Sequence, residues 1–287
     1  MNAKLEILEF RKRSIEPFAG GAAVLLGRPS ARTVIKNGCV ETINDKDSLV
    51  INAWRAMKYA QPLELAAAVE VINSQQNFDA LKHQLIDNFR TLNRTIRSDE
   101  KHYEPYLAAI WIAGMRNIIG GGFANPKSRN HKQSPRVHIS RYPLGSPEAY
   151  FAYVNFRLQN VNLMNLTWEE MIGSPTRLKS KDLTAIFIDP PYPNENRTAV
   201  YREDDGAVSN DAAKWAIETI KSDVHHRFRI AFCGYGDRQH QWGLYHQIFY
   251  DAGWTAHRWT GRGYALMGDG QGRENAKEET IWFSPVK

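Results

Sequence analysis

The sequence has 287 residues, of which 43% are hydrophobic and 24% are charged, so it is long enough to bury a sizeable core and ordinary for a protein that folds in water. Two cysteines in a chain of this length exclude a disulfide framework and favour a reducing cytoplasm. The formal net charge of +6 favours an anionic partner over a cationic one.

The sequence shows no sign of a membrane segment or a metal site. Residues 1–13 are charged and lack the apolar stretch of a signal peptide, and no apolar run approaches the roughly 20 residues that span a bilayer. The nine histidines and two cysteines form no zinc-type spacing. We therefore expect a cytoplasmic protein that binds neither a membrane nor a metal.

The first informative segment is a glycine turn between a short predicted strand and a predicted helix. Residues 14–24 read S-I-E-P-F-A-G-G-A-A-V. Gly20 and Gly21 would let the backbone approach a ligand closely. The spacing differs from G-x-G-x-x-G, so a dinucleotide pyrophosphate is a poor match, and a Gly-Gly pair alone is more often an ordinary loop.

A second predicted strand, residues 40–44, ends at the acid Asp45. In doubly wound folds, an acid about 20 residues after the glycine turn accepts hydrogen bonds from ribose hydroxyls. We expect Asp45 in that role, with Asp47 as the second choice. The alternative is that these acids cap the helix predicted from Ser48 to Met57, and this alternative is stronger for Asp47 than for Asp45.

The segment from Tyr59 to Asn155 is predicted to be helical at first. Pro62 opens a helix over residues 63–72, apolar residues at helical spacing predict a second helix from residue 78, and Pro105 opens a third over residues 106–118. We interpret the apolar stripe of these helices as core and not as a groove for a partner.

A long basic loop follows, since residues 116–141 contain no Asp or Glu and the helix is broken by three glycines. Phosphates would neutralise its cations and release counterions. The alternative is a solvated loop with no partner. Phe123 and Tyr142 flank the loop and are candidates for wedges or stacking platforms, although a lone aromatic is more often core. The candidate nucleic-acid contacts are Arg116, Lys127, Arg129, Lys132, Arg136 and Arg141.

A short apolar run, residues 183–188, predicts a buried strand, and Asp189-Pro190-Pro191-Tyr192 follow it directly. Neither proline can donate to a ladder and each fixes φ at about −65°, so the chain leaves the sheet stiffly. Open α/β sheets bind ligands at this end of their strands. The Asp189 carboxylate and the Pro190 carbonyl could accept from the exocyclic amine of a flat heterocycle while Tyr192 covers the ring. The alternative is an ordinary Asp turn.

The last third of the chain alternates between predicted helices and strands. Helices are predicted over residues 211–220 and 242–250, and strands over residues 228–233, 254–259 and 280–284. This order predicts an α/β protein whose sheet is parallel and ends in a late antiparallel hairpin.

Three motifs together resemble the DNA adenine methyltransferases of the Dam type: E-P-F-A-G-G at residues 16–21, N-D-K-D at residues 44–47 and D-P-P-Y at residues 189–192. The resemblance covers roughly residues 14–58 and 160–284. It implies a Rossmann-like methyltransferase sheet with a mainly helical inserted DNA-recognition domain. Residues 1–58 and 156–287 would form the S-adenosylmethionine-binding catalytic domain, and residues 59–155 the target-recognition domain.

The resemblance also implies roles for single residues, with double-stranded DNA as the partner. The D-P-P-Y tetrapeptide would take the exocyclic amine of a flipped adenine. Thr167 stands where many relatives carry a further cofactor-side acid, and its hydroxyl is the candidate substitute. The residues implied to hold S-adenosylmethionine are Glu16, Pro17, Phe18, Gly20, Gly21, Asp45, Thr167 and Asp189.

The sequence leaves open which residues close the methionine side of the cofactor pocket. Residues 1–13 hold nothing similar to the Lys-Trp-Ala-Gly-Gly-Lys segment that lines the methionine side of the pocket in relatives, so Lys12 and Arg13 are candidates to close that end.

The acceptor could also be adenine in RNA or in a single strand, or the exocyclic amine of cytosine. A protein-glutamine methyltransferase would more typically carry Asn in place of Asp189. A protein of another class is possible too, namely a nucleic-acid-binding protein with a decayed cofactor site.

Overall fold

The computed structural model describes residues 13–28, 38–75, 77–117, 123, 144–172, 182–191, 208–223, 226–235, 243–258 and 279–286. Within these ranges, no helix is both long enough and apolar enough to cross a membrane. The strands are β1 Arg13–Glu16, β2 Val40–Asn44, β3 Val161–Met164, β4 Thr184–Ile188, β5 Phe228–Tyr235, β6 Thr255–Arg258 and β7 Glu279–Phe283. The helices are α1 Ala23–Gly27, α2 Ser48–Tyr59, α3 Pro62–Ser74, α4 Phe78–Ser98, α5 Pro105–Asn117, α6 Pro147–Leu158, α7 Trp168–Ile172, α8 Val208–Ser222 and α9 Gly243–Asp251.

The strands form one sheet in the order β3-β2-β1-β4-β5-β7-β6. All pairings from β3 to β5 are parallel, whereas β7 lies antiparallel between β5 and β6. The predicted α/β Rossmann-like class and its late antiparallel hairpin are therefore confirmed. The strand order runs in opposite directions from β1 and from β4, so the order reverses between these two strands. Such sheets bind their ligands at the carboxyl ends of the strands where the order reverses.

The strand β4 runs through the middle of the sheet, and all five of its residues are buried. Its sequence, T-A-I-F-I, is rich in β-branched and aromatic side chains, which suit a strand covered on both faces. Ile186 and Ile188 belong to the apolar core that includes residues of α8 and α9. Phe187 packs with Cys233 and Ile281 in a separate cluster. This two-sided packing fixes the place at which the chain leaves β4.

Among the residues that the structure describes between β2 and β3, five helices are present, α2 to α6. One hydrophobic cluster runs from Ile43 and Leu163 in the sheet through α2 into α3, α4, α5 and α6. The boundary predicted between residues 155 and 156 falls inside α6, where the Asn155 side chain donates to the carbonyls of Met57 and Lys58 at 3.2 and 2.9 Å. These helices thus share a core with the sheet, and the division into a catalytic and an inserted domain stays a prediction.

Candidate active site

A single buried amide joins the loops that follow β1, β2 and β3. The Asn44 side chain, at the end of β2, is 0% exposed. Its Nδ2 donates to the carbonyl of Pro17 at 2.9 Å and to the carbonyl of Leu166 at 3.0 Å, and its Oδ1 accepts from the backbone N–H of Leu166 at 3.0 Å. The carboxyl ends of three neighbouring strands are therefore held in one fixed arrangement.

The glycine turn is shaped by residues of the next strand and helix. The backbone N–H of Gly20 donates to Asp45 Oδ2 at 2.9 Å, and the Gly20 carbonyl accepts from Trp54 Nε1 at 2.9 Å. Gly20 has a φ of 45°, in the left-handed region that favours glycine. A Cβ added at Gly20 or Gly21 would meet no atom within 4 Å, so the turn borders open space.

The two acids after β2 have different local roles. The Asp45 carboxylate accepts from the N–H of Gly20 and, through Oδ1, from the N–H of Asp47 at 2.9 Å. Burial raises the pKa of Asp45, and these two hydrogen bonds oppose the rise. Asp47 is the N-cap of α2, since its Oδ1 accepts from the N–H of Leu49 at 2.8 Å. The capping alternative for Asp47 is therefore confirmed, while Asp45 supports the glycine turn and stays a predicted ribose ligand.

Glu16, the last residue of β1, lies in a buried ionic cluster. It is 3% exposed, and burial, reinforced by the carboxylate of Glu41, raises its pKa to about 8 against the opposing charges of Arg28 and Arg157. Arg157 donates to both oxygens of Glu41, at 2.6 and 2.8 Å, and Arg28 lies 3.1 Å from Glu41. The Glu16 side chain is thus enclosed among charges of β2, α6 and the end of α1, and its contact with the cofactor stays a prediction.

Thr167 caps a helix that the sequence did not predict. Its hydroxyl oxygen accepts from the N–H of Glu170 at 3.2 Å, and Glu170 Oε2 accepts from the N–H of Thr167 at 2.7 Å. This reciprocal pair is a capping box at the start of α7. A threonine hydroxyl can still donate while it accepts. Thr167 therefore has a structural role here, and its contact with the cofactor stays a prediction.

Asp189 emerges beside the glycine turn. Ile15 of β1 pairs with Ile186 of β4 in parallel register, and β1 ends at Glu16 while β4 ends at Ile188. The glycine turn and Asp189 therefore leave the sheet at the same edge, from neighbouring strands. Parallel neighbours lie about 4.8 Å apart in a sheet. Asp189 is exposed, Pro190 is buried and Pro191 is half-buried. An exposed carboxylate therefore ends β4 at the point where the strand order reverses, and Tyr192 lies outside the described residues.

The predicted nucleic-acid contacts fall mostly outside the described part of the chain. Arg116 lies in the last turn of α5. Phe123 is 0% exposed and packs edge-on against Phe78 with ring centroids 6.1 Å apart, so its interpretation as a core residue is confirmed and a role as a wedge is not. The predicted site residues that lie outside the described part of the chain are Lys12, Lys127, Arg129, Lys132, Arg136, Arg141 and Tyr142.

The position of Arg13 decides whether it can close the methionine side of the cofactor pocket. Arg13 is the first residue of β1, so it lies at the amino end of that strand and away from the glycine turn at the other end. Among the described residues, no group of three or more His, Cys, Asp or Glu is placed to hold a metal ion.

A family model for the D12 class N6 adenine-specific DNA methyltransferases matches residues 5–233, which is well over half of the chain. The chain belongs to this family. The matched range includes the glycine turn, Asp45 and Asp189. Membership of this family makes the protein an enzyme that methylates adenine N6 in DNA. A search of the curated proteins finds no match.

Two asparagines that organise this methyltransferase were given no role by the sequence. Besides Asn44, the Asn165 side chain donates to the carbonyls of Asp45 and Lys46 at 2.8 and 3.1 Å and accepts from Ser48 Oγ at 2.9 Å. Each asparagine stands at or just after the end of a strand. That position is the signal that could have identified them, because a side-chain amide there can bond to neighbouring loops.

Proposed function

We propose that this methyltransferase takes its methyl group from S-adenosylmethionine and transfers it directly to the N6 amine of an adenine rotated out of a DNA duplex. The observation that carries the proposal is the pairing of β1 with β4, which brings the exposed Asp189 beside the glycine turn. A ligand in the crevice between these strand ends would touch both.

The residues of the glycine turn suit the cofactor. The open space at Gly20 and Gly21 admits a ligand close to the backbone, and Asp45 fixes the turn while each of its oxygens keeps a second lone pair for a ribose hydroxyl. When bound, S-adenosylmethionine would supply a methyl group already activated by its sulfonium. The bond from N6 to the methyl group would form as the bond from sulfur breaks, so that S-adenosylhomocysteine leaves and the surplus proton of N6 passes to solvent. The backbone of Pro17 and Phe18, the hydroxyl of Thr167 and the carboxylate of Asp189 are the other proposed contacts. Glu16 is a further proposed cofactor contact.

The D-P-P-Y tetrapeptide would hold the base. The adenine amine is a poor nucleophile because its lone pair is delocalised into the ring. Hydrogen bonds from this amine to the Asp189 carboxylate and the Pro190 carbonyl favour a more tetrahedral nitrogen with a localised lone pair, and Asp189 stabilises the positive charge that develops there. The stiff prolines keep the two acceptors in place, which contributes by positioning the reactants.

Rotating the adenine out of the duplex costs a few kcal/mol of stacking and pairing energy. Stacking of the adenine on Tyr192 would offset roughly 1–3 kcal/mol of this cost. Cations from Arg116 to Arg141 would bind the phosphates that hold the duplex during this step. The same amine chemistry would serve a single strand or an RNA, and the test includes both.

The test is to incubate plasmid DNA with the enzyme and S-adenosylmethionine and to map the methylated bases, with single-stranded DNA and RNA treated in parallel. We expect N6-methyladenine in the duplex. Asp189→Ala should abolish methylation. Because the other proposed cofactor contacts remain, it should leave cofactor affinity largely intact in calorimetry, whereas Asp251→Ala, an exposed acid on α9, should behave as the wild type. Near-normal turnover by Asp189→Ala, or methylation confined to RNA, would refute the proposal.

A further inference from the structure

The helix α4 presents three arginines on one side. Arg90, Asn93, Arg94 and Arg97 are spaced at i, i+3, i+4 and i+7, so they lie on one face, which we name the arginine face. With a rise of about 1.5 Å per residue, it extends over roughly 10 Å. An open groove of about 640 Å³ runs along it, lined also by Phe89 and Ser98.

The charges of this face are poorly compensated within the described part of the chain. Arg90 and Arg94 are exposed, and neither forms an ion pair with a described residue, while Arg97 lies 3.0 Å from Glu170. The exposed Asp87 lies one turn before Arg90. Like charges three and four residues apart destabilise a helix. An anionic partner would relieve that repulsion.

The arginine face is anchored to the loops of the candidate active site. Arg97 Nε donates to the carbonyl of Asn165 at 3.3 Å, and Asn93 Oδ1 accepts from Ser48 Oγ at 2.6 Å. In addition, Arg55 Nη1 donates to the carbonyls of Ile96 and Asp99 at 2.9 and 2.7 Å, and these bonds fix the C-terminal end of α4. The position of the face relative to the carboxyl ends of β2 and β3 is therefore fixed.

We propose that the arginine face binds the phosphate backbone of the duplex that the enzyme methylates. This inference rests on the proposed function. Guanidinium groups match phosphate oxygens in a two-pronged geometry. One strand of duplex DNA carries a charge about every 3.4 Å along its axis, so a face of roughly 10 Å passes about three phosphates. These contacts are independent of base sequence and set the register of the duplex over the active site.

The variant to test is Arg90→Gln/Arg94→Gln, with Lys214→Gln/Lys221→Gln as the matched control. The control removes the same charge from exposed positions on α8. The affinity for a fluorescein-labelled duplex is measured by fluorescence anisotropy at about 50 to 400 mM salt, because the affinity of proteins for DNA changes steeply over this range. Each lost phosphate contact should reduce the slope of log K against log salt by about 0.9, so the arginine variant should lose about 1.8 and bind up to about 60-fold more weakly at 0.1 M salt.

The control should keep the wild-type slope, and both variants should keep the wild-type melting temperature. The inference is overturned if the arginine variant binds duplex with the wild-type slope while it still methylates plasmid DNA. It is also overturned if the variant loses affinity for S-adenosylmethionine or for RNA instead of duplex DNA. Failure of the wild type to methylate, with the slope difference intact, would refute the proposed function and not the arginine face.

Discussion

Replacing Asn44 by alanine should separate the loops of the active site without touching a reacting group. The substitution removes three hydrogen bonds, two to carbonyls of Pro17 and Leu166 and one from the Leu166 N–H. A net contribution of about 1 kcal/mol for each bond gives a loss of about 3 kcal/mol in the free energy of unfolding. The cavity left at a residue that is 0% exposed adds to this loss.

The assay is urea unfolding followed by circular dichroism, with calorimetric titration of S-adenosylmethionine on the folded variant. Asn162→Ala is the matched control, because Asn162 is exposed on the neighbouring strand β3 and makes one long hydrogen bond of 3.4 Å to Thr42. The control should change stability by less than about 0.5 kcal/mol. We expect Asn44→Ala also to weaken cofactor binding. Equal stabilities of the two variants would refute the reasoning that Asn44 holds the strand ends together.

Two further substitutions probe the buried charges and the capping box. Because the folded pKa of Glu16 is raised from 4.5 to about 8, the wild type should lose stability as pH rises between these values, by about 1.4 kcal/mol per pKa unit at most. Glu16→Gln should remove this dependence and be more stable than the wild type at pH 9 in urea unfolding; parallel pH profiles would contradict the assignment. Glu170→Ala should lower the free energy of unfolding by about 1 kcal/mol through loss of the capping box, whereas its exposed neighbour Glu169→Ala should not. A similar effect of both would argue against the cap.

The elements that the sequence predicts best are those with a strong local signal. The run of residues 183–188 and the N-cap before Ser48 predict β4 and α2 from short stretches, because burial on both faces and capping are encoded locally. The helices α6 and α7 carry local signals as well, namely Ser146 before Pro147 and Thr167 three residues before Glu170. Thr167 stands where relatives carry a cofactor-side acid, and only its spacing to Glu170 indicates the cap.

The parts of the site that the sequence could not predict depend on contacts distant in the chain. Asn44 bonds to Leu166, which lies 122 residues away, and Arg157 bonds to Glu41 across 116 residues. Nothing near Glu16 reveals that these charges converge on it. The sequence therefore predicts which residues stand at strand ends. Which of these residues become buried and bonded depends on which strands lie side by side in the sheet.

The bidentate pair between Arg157 and Glu41 has a mechanical consequence. Both side chains are buried, and Arg157 belongs to the last helix before β3. Swinging α6 away from β2 would break this buried ion pair and leave Arg28 as the remaining described partner of Glu41, at a cost of up to about 3–5 kcal/mol. The helical segment and the sheet should thus move as one body. We expect the enzyme to receive its duplex on a preformed platform, without a hinge between these two parts.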